Sequence, residues 1–470
     1  MAKASWATTT NVTTIPMSLH RRVFVTLIAA LLCACATTPP TSTAPTPIVF
    51  VHGNGDSAAL WLTTLWRFES NGWPRDRLLA IDLPLPSARD NDAVTQEGRS
   101  STSDAASFLA SQVDALLARS GARQVALVGN SRGANTIRNY VQNFGGAVKV
   151  SHVVLGGGVN HGVFADPALN PGSEFNGAGA FMRGLNAPKG PAGDEVTPGP
   201  RWMTIRSDNN DKFAQPDSLW LGRPGTPSNI SFDAPALKGA ENVVLPRRDH
   251  REVSYHPEAF AHTYRFIAGA SAKTLDIAPE ARLQLDGLVS GIGAGGINNL
   301  PLANAQVEVF EVNPTNGERV GSLRHVKRVG ADGRWGPFEA KGGAHHEFVI
   351  SAPGYAQMHV YRSPFPRSSS VLHFRAERMN DADRQAAAVV SFTRPRAYFG
   401  VPRDRISFDG ISPPPGLPVG VAGLAASRLR LKDSGRAVVA EFESEGVRER
   451  LVGRAWPAAE NRVVVLEMHY

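Results

Sequence analysis

The stretch VGNSRGANT, residues 128–136, closes the apolar run Gln124–Val128 and sets Ser131 between Gly129 and Gly133. A strand pattern ends here and a helical one begins. Two readings are open. One is an ordinary glycine-rich turn. The other is a nucleophile on a strained strand-to-helix turn, where glycines are needed because the flanking backbone passes too close for a Cβ. The surrounding chain has to choose between them.

Upstream, PIVFVHGNG (47–55) is an unbroken apolar run entering a glycine-rich turn, and RLLAIDLP (77–84) is a second such run. Runs of this kind suit strands buried on both faces, as in a parallel sheet. Between Ser103 and Arg119 a helical period places Phe108, Leu109, Val113, Leu116 and Leu117 on one face. QVALVG then reads as a strand, Gly133–Asn143 as a helix, and VSHVVLGG (150–157) as the next strand. Strands alternating with helices predict an α/β fold with a doubly wound, mostly parallel sheet. In that setting Gly129-Asn130-Ser131-Arg132-Gly133 is a G-x-S-x-G nucleophile turn, and Ser131 is the candidate nucleophile.

A serine that attacks a carbonyl needs donors for the oxyanion, a base, and an acid to orient the base. The backbone N–H of Arg132, at the start of the following helix, is one candidate donor. The N–H of Asn54, in the loop after the first strand, is the other. Downstream, RWMTIRSDNNDKFAQPD (201–217) reads as a strand followed by an acidic loop. Asp211 is the preferred acid, with Asp208 and Asp217 as alternatives and a calcium loop as a competing reading. The segment 243–269 holds a short strand ending at Pro246, then a helix from about Pro257 that Gly269 stops. His250 lies on the loop between them and is the candidate base, with His256 as runner-up; His152 and His161 come too early.

Taken together, FVHGNG, GNSRG, SDNNDKF and RDHREV resemble the α/β-hydrolase fold, closest to microbial lipases and esterases, over residues 47–270. The resemblance implies a Ser131–Asp211–His250 triad, an oxyanion hole from the Asn54 and Arg132 amides, and neither cofactor nor metal. Asn130 stands where many lipases carry histidine. Residues 158–200, rich in Gly, Pro and Ala, correspond to the cap region of lipases; Phe164, Phe181, Met182 and Leu185 are candidates either for an acyl groove or for ordinary core.

From about residue 276 the texture changes to short alternating runs. ANAQVEVFEV places Ala305, Val307 and Val309 on one face, and Asn316-Gly317 is a hairpin signal. Residues 280–376 resemble a transthyretin-like or carboxypeptidase regulatory-like β domain, and 378–470 read as a second β-rich domain. A hydrolase domain (47–272) followed by β domains resembles the two-part lipases whose C-terminal domain binds lipid. On that reading the β domains bind a lipid or polymer surface, and the hydrolase should turn over soluble esters without them. The competing reading is a β region that only stabilises or spaces the enzyme.

The net charge of +7 is spread over scattered Lys and Arg, with no basic run, which argues against a nucleic-acid partner. Both cysteines, Cys33 and Cys35, fall in the first forty residues, so the body of the chain has no disulfide. There Arg21-Arg22 precedes an apolar run shorter than the ~20 residues a bilayer span needs. It reads as an export signal (1–35) ending in LCAC, a lipobox that would place a lipid on Cys35. TTPPTSTAPTP would then be a tether (36–46). The expectation is a lipid-anchored carboxylic ester hydrolase of the cell envelope acting on acyl lipids. Ordinary secretion, a polyester depolymerase and a catalytically dead binding protein are the alternatives.

Overall fold

The computed structural model describes residues 8–11 and 44–470. The lipobox with Cys35, and residues 36–43 of the expected tether, lie outside the described residues. Among the described residues no helix is long and apolar enough to cross a membrane.

Six strands build the first sheet: β1 (Ile48–Val51), β2 (Leu78–Ile81), β3 (Val125–Asn130), β4 (Val150–Gly156), β5 (Arg201–Ser207) and β6 (Glu241–Leu245). They run parallel in the order β2-β1-β3-β4-β5-β6. All four residues of β1 are fully buried, which explains its unbroken apolar run. Val49 and Val51 face a core shared with α2 (Thr102–Ser120) and α3 (Arg132–Asn143). Ile48 and Phe50 face the opposite core, filled by α1 (Leu62–Ser70) and α4 (Pro257–Ala268). Helices therefore cover both faces. The ends of α2 are set locally: Ser101 and Asp104 form a reciprocal cap, and Gly121 closes the helix at φ 65°.

The β region continues with β7 (Gln306–Val312), β8 (Arg319–Arg328), β9 (His345–Ser351), β10 (Gln357–Arg362), β11 (Ala388–Thr393), β12 (Arg405–Phe408), β13 (Ala426–Leu431), β14 (Ala437–Ser444), β15 (Val447–Arg454) and β16 (Arg462–Glu467). Seven of these form one sheet, ordered β8-β7-β9-β10-β16-β11-β13, while β12, β14 and β15 form a second. The larger sheet thus draws strands from both sides of residue 377. Its alternating residues feed two cores: Val389, Val463 and Val465 point into one, and Val390, Phe392, Val464 and Leu466 into the other. Ala305, Val307 and Val309 share the first core, as their alternation requires.

That first core also contains Ala58, Leu62 and Trp66 of the N-terminal half. The Trp66 indole N–H donates to the Ser368 carbonyl at 2.8 Å, and His373 Nε2 bonds Asp82 at 2.8 Å. The β region is therefore packed into the α/β half, sharing its core, rather than tethered beside it.

Candidate active site

The candidate residues lie just past the carboxyl ends of the parallel strands, where open α/β sheets place their sites. Ser131 follows β3 directly and holds φ 53°, ψ −120°, a conformation that costs a non-glycine residue about 1–3 kcal/mol. The glycines make this geometry possible. A Cβ on Gly133 would sit 2.4 Å from the Val51 carbonyl oxygen, and one on Gly129 would press Ile137 Cδ1 at 2.6 Å. The Asn54 loop packs against the same turn, since a Cβ on Gly53 would lie 3.1 Å from Ser131 Cβ. The Arg132 N–H is the first of α3 and has no acceptor within its own helix.

Asp211 and His250 meet: His250 Nδ1 and Asp211 Oδ2 are 2.8 Å apart, both side chains buried. Asp211 Oδ1 accepts the Phe213 N–H at 2.8 Å, fixing the carboxylate, and the Phe213 ring stands edge-on to the imidazole at 4.7 Å. Among the described residues, His250 Nε2 has no hydrogen-bond partner, and it is buried. It opens onto a cavity of about 500 Å³ that Ser131, Asn54 and Asn130 also line. The alternatives go elsewhere. Asp208 accepts the Asn210 and Arg247 amides, and Asp217 accepts the Leu219 N–H, both as turn residues. His256 caps α4 through the Glu258 N–H, and burial beside Arg248 lowers its pKa to about 3. His161 bonds Glu195.

Of the four cap residues singled out in the sequence, Phe164 lines the cavity, joined by Val163 and Phe175. Met182 and Leu185 are buried outside its lining. The Arg132 side chain is structural: fully buried, it pairs with Glu174 at 3.0 Å and donates to Pro86 and Ser100.

Sequence reasoning missed three things. Asn130, noted in the sequence only for standing where many lipases carry histidine, donates through Nδ2 to the carbonyls of Gly156 and His250, at 3.1 Å each, and to Ser254 Oγ at 2.8 Å. It ties the nucleophile turn to the histidine loop. Asp249 and Glu252, which flank that loop, are buried against Arg394 and Arg403 of the β region. Burial acts to raise both carboxyls. The two guanidiniums outweigh it at Glu252, which is lowered, whereas the Glu252 charge adds to burial at Asp249, which is raised. Dense charge around His250 reads as a solvated loop, and only partners about 140 residues downstream make it an interior. The third omission is that Tyr398, Gly423, Leu424 and Ala425 line the cavity.

Residues 48–275 match the family model described as alpha/beta hydrolase family, and residues 282–379 match the lipase C-terminal domain. The first domain is an α/β hydrolase. A hydrolase domain followed by a lipase C-terminal domain is the arrangement of two-part lipases. Among solved structures, the chain is similar to lipase B of Aspergillus fumigatus at 18% identity and TM-score 0.34, over 51% of this chain and 56% of that one. It spans just over half the length of that lipase. It is also similar to the mature form of Bacillus licheniformis lipase BlEst2, at 19% identity and TM-score 0.30, over 44% of this chain and 86% of that one. Similarity to carboxylesterase CesB of Bacillus subtilis is at 14% identity and TM-score 0.27, over 49% of this chain and 85% of that one.

Proposed function

We propose that this α/β hydrolase cleaves carboxylic esters, with acyl lipids as the substrate class, through Ser131, His250 and Asp211. One observation carries the reading. A His250 ring held by Asp211 at Nδ1 leaves Nε2 buried and unpartnered on the cavity that Ser131 lines from a positive-φ turn.

In this mechanism Ser131 Oγ attacks the ester carbonyl while His250 Nε2 takes its proton. Asp211 holds the tautomer with Nε2 free and stabilises the imidazolium. The Asn54 and Arg132 N–H groups receive the oxyanion of the tetrahedral intermediate. Collapse breaks the C–O bond, and the alcohol leaves with the proton from His250. Water, deprotonated by the same nitrogen, then attacks the acyl-enzyme and frees the acid and Ser131. The apolar lining from Val163, Phe164 and Phe175 supports a substrate with a hydrocarbon portion.

Ser131→Ala should keep the fold and lower p-nitrophenyl ester hydrolysis by ~10⁴-fold or more. A fluorophosphonate should label Ser131 in the wild-type protein. Substantial turnover by the folded alanine variant would refute the assignment.

A further inference from the structure

The α/β-hydrolase half does not close its own cavity. Phe164, Phe175, Phe213 and Leu221 line it together with Tyr398 and Gly423–Ala425 of the β region. These last residues lie beyond the ranges matched by either family model, which end at residues 275 and 379. Resting on the serine-hydrolase reading above, we propose that residues 395–425 are the specificity wall of the site, with Leu424 and Tyr398 setting the length of hydrocarbon chain the ester can carry.

The wall is fastened to the catalytic loops at their reacting ends. Both neighbours of His250 hold it: Asp249 Oδ2 accepts the Tyr398 N–H at 2.8 Å, and the Arg251 guanidinium donates to the Pro395 carbonyl at 2.7 Å. The residue after Asp211 holds its other end. Lys212 Nζ donates to the Gly423 carbonyl at 2.8 Å and lies 4.1 Å from the centre of the Tyr398 ring. Burial, with Arg251 nearby, lowers the Lys212 pKa to about 8. Gly423 packs against Trp220, whose ring tip a Cβ there would meet at 1.9 Å, so a larger residue would have to displace that ring. A wall bonded beside both the acid and the base has its position relative to Ser131 fixed by the catalytic geometry itself.

The cavity volume, about 500 Å³, falls within the ~300–1,000 Å³ usual for small-ligand sites, and its lining is mainly apolar. Leu424 is 40% exposed and packs into no core, so it can be enlarged without opening the fold. Tyr398 is buried and bonded through its backbone, which makes it the fixed part of the wall and Leu424 the adjustable part.

The test uses the whole chain. One series of p-nitrophenyl esters varies the acyl chain from acetate to dodecanoate; a second series of acetate esters varies the alcohol from ethanol to dodecanol. Leu424→Trp should lower the ratio of long-chain to short-chain kcat/KM by ~10-fold or more in one series, and Leu424→Ala should raise it in the same series. The series that responds shows whether the wall faces the acyl group or the alcohol. Unchanged ratios in both series for both variants, with Ser131 still labelled by fluorophosphonate, would overturn the wall and leave the serine reading intact. No labelling of the wild-type protein would overturn both.

Discussion

Asn130 shows how one side chain can decide the quality of a site without entering its chemistry. Its amide joins the turn that carries Ser131 to the main chain of His250, so the two candidate residues share one rigid reference. Asn130→Leu keeps the branched outline but leaves the buried His250 carbonyl without this donor, at about 1–3 kcal/mol, while the Gly156 carbonyl keeps the Ser131 N–H. The expected result is a folded protein with a lower melting temperature and a lower kcat, read by thermal denaturation and p-nitrophenyl acetate hydrolysis. Wild-type values for both would show that the bonds have no consequence. At this scale Ser131, Asp211 and His250 were legible as candidates because the motif spacing sits on readable strand ends. Asn130 was not, because its partners at residues 156, 250 and 254 are set by folding.

At the scale of elements, the strands and helices of the hydrolase half were readable wherever burial is two-sided or strictly periodic. β1, α2 and α4 fall where the apolar runs, the helical period between Ser103 and Arg119 and the Pro257–Gly269 signals put them. What no local pattern reveals is the charged clasp between the His250 loop and the β region. Glu252 bonds Arg394 at 2.8 Å and Arg403 at 2.7 Å, with Arg394 also donating to the Tyr398 carbonyl at 2.6 Å. Removing one partner from a buried ion pair costs about 3–5 kcal/mol. Arg394→Met should fall at the lower end of that range, because Arg403 remains on Glu252. Denaturant unfolding measures the loss, and ester hydrolysis should fall with it as the histidine loop loosens. A variant as stable and as active as wild type would show the clasp to be dispensable.

For the whole molecule, the sequence suggested a β region separable from the hydrolase, and the shared core shows the two packed as one. Alternation along one strand identifies its buried face but not which layer covers it, so the burial of Ala58, Leu62 and Trp66 under β-region side chains was invisible. Deleting residues 280–470 should therefore abolish turnover of soluble short esters as well as emulsified lipid, because the deletion removes one side of the cavity and bares that apolar surface. Supplying residues 276–470 as a second chain should restore p-nitrophenyl acetate hydrolysis in part. A soluble, folded fragment that retains full acetate turnover would return the β region to the role of a detachable module.

Strand β16 (Arg462–Glu467) is the last in the chain yet lies inside the larger sheet, between β10 and β11. Its edges pair in parallel with strands made about a hundred and about seventy residues earlier. Without β16, β10 and β11 are not paired with each other, and a gap stands between them. The segment that walls the site hangs from the far side of that gap. A chain cut before residue 462 should therefore carry the candidate residues Ser131, Asp211 and His250 yet lack the strand that joins β10 to β11.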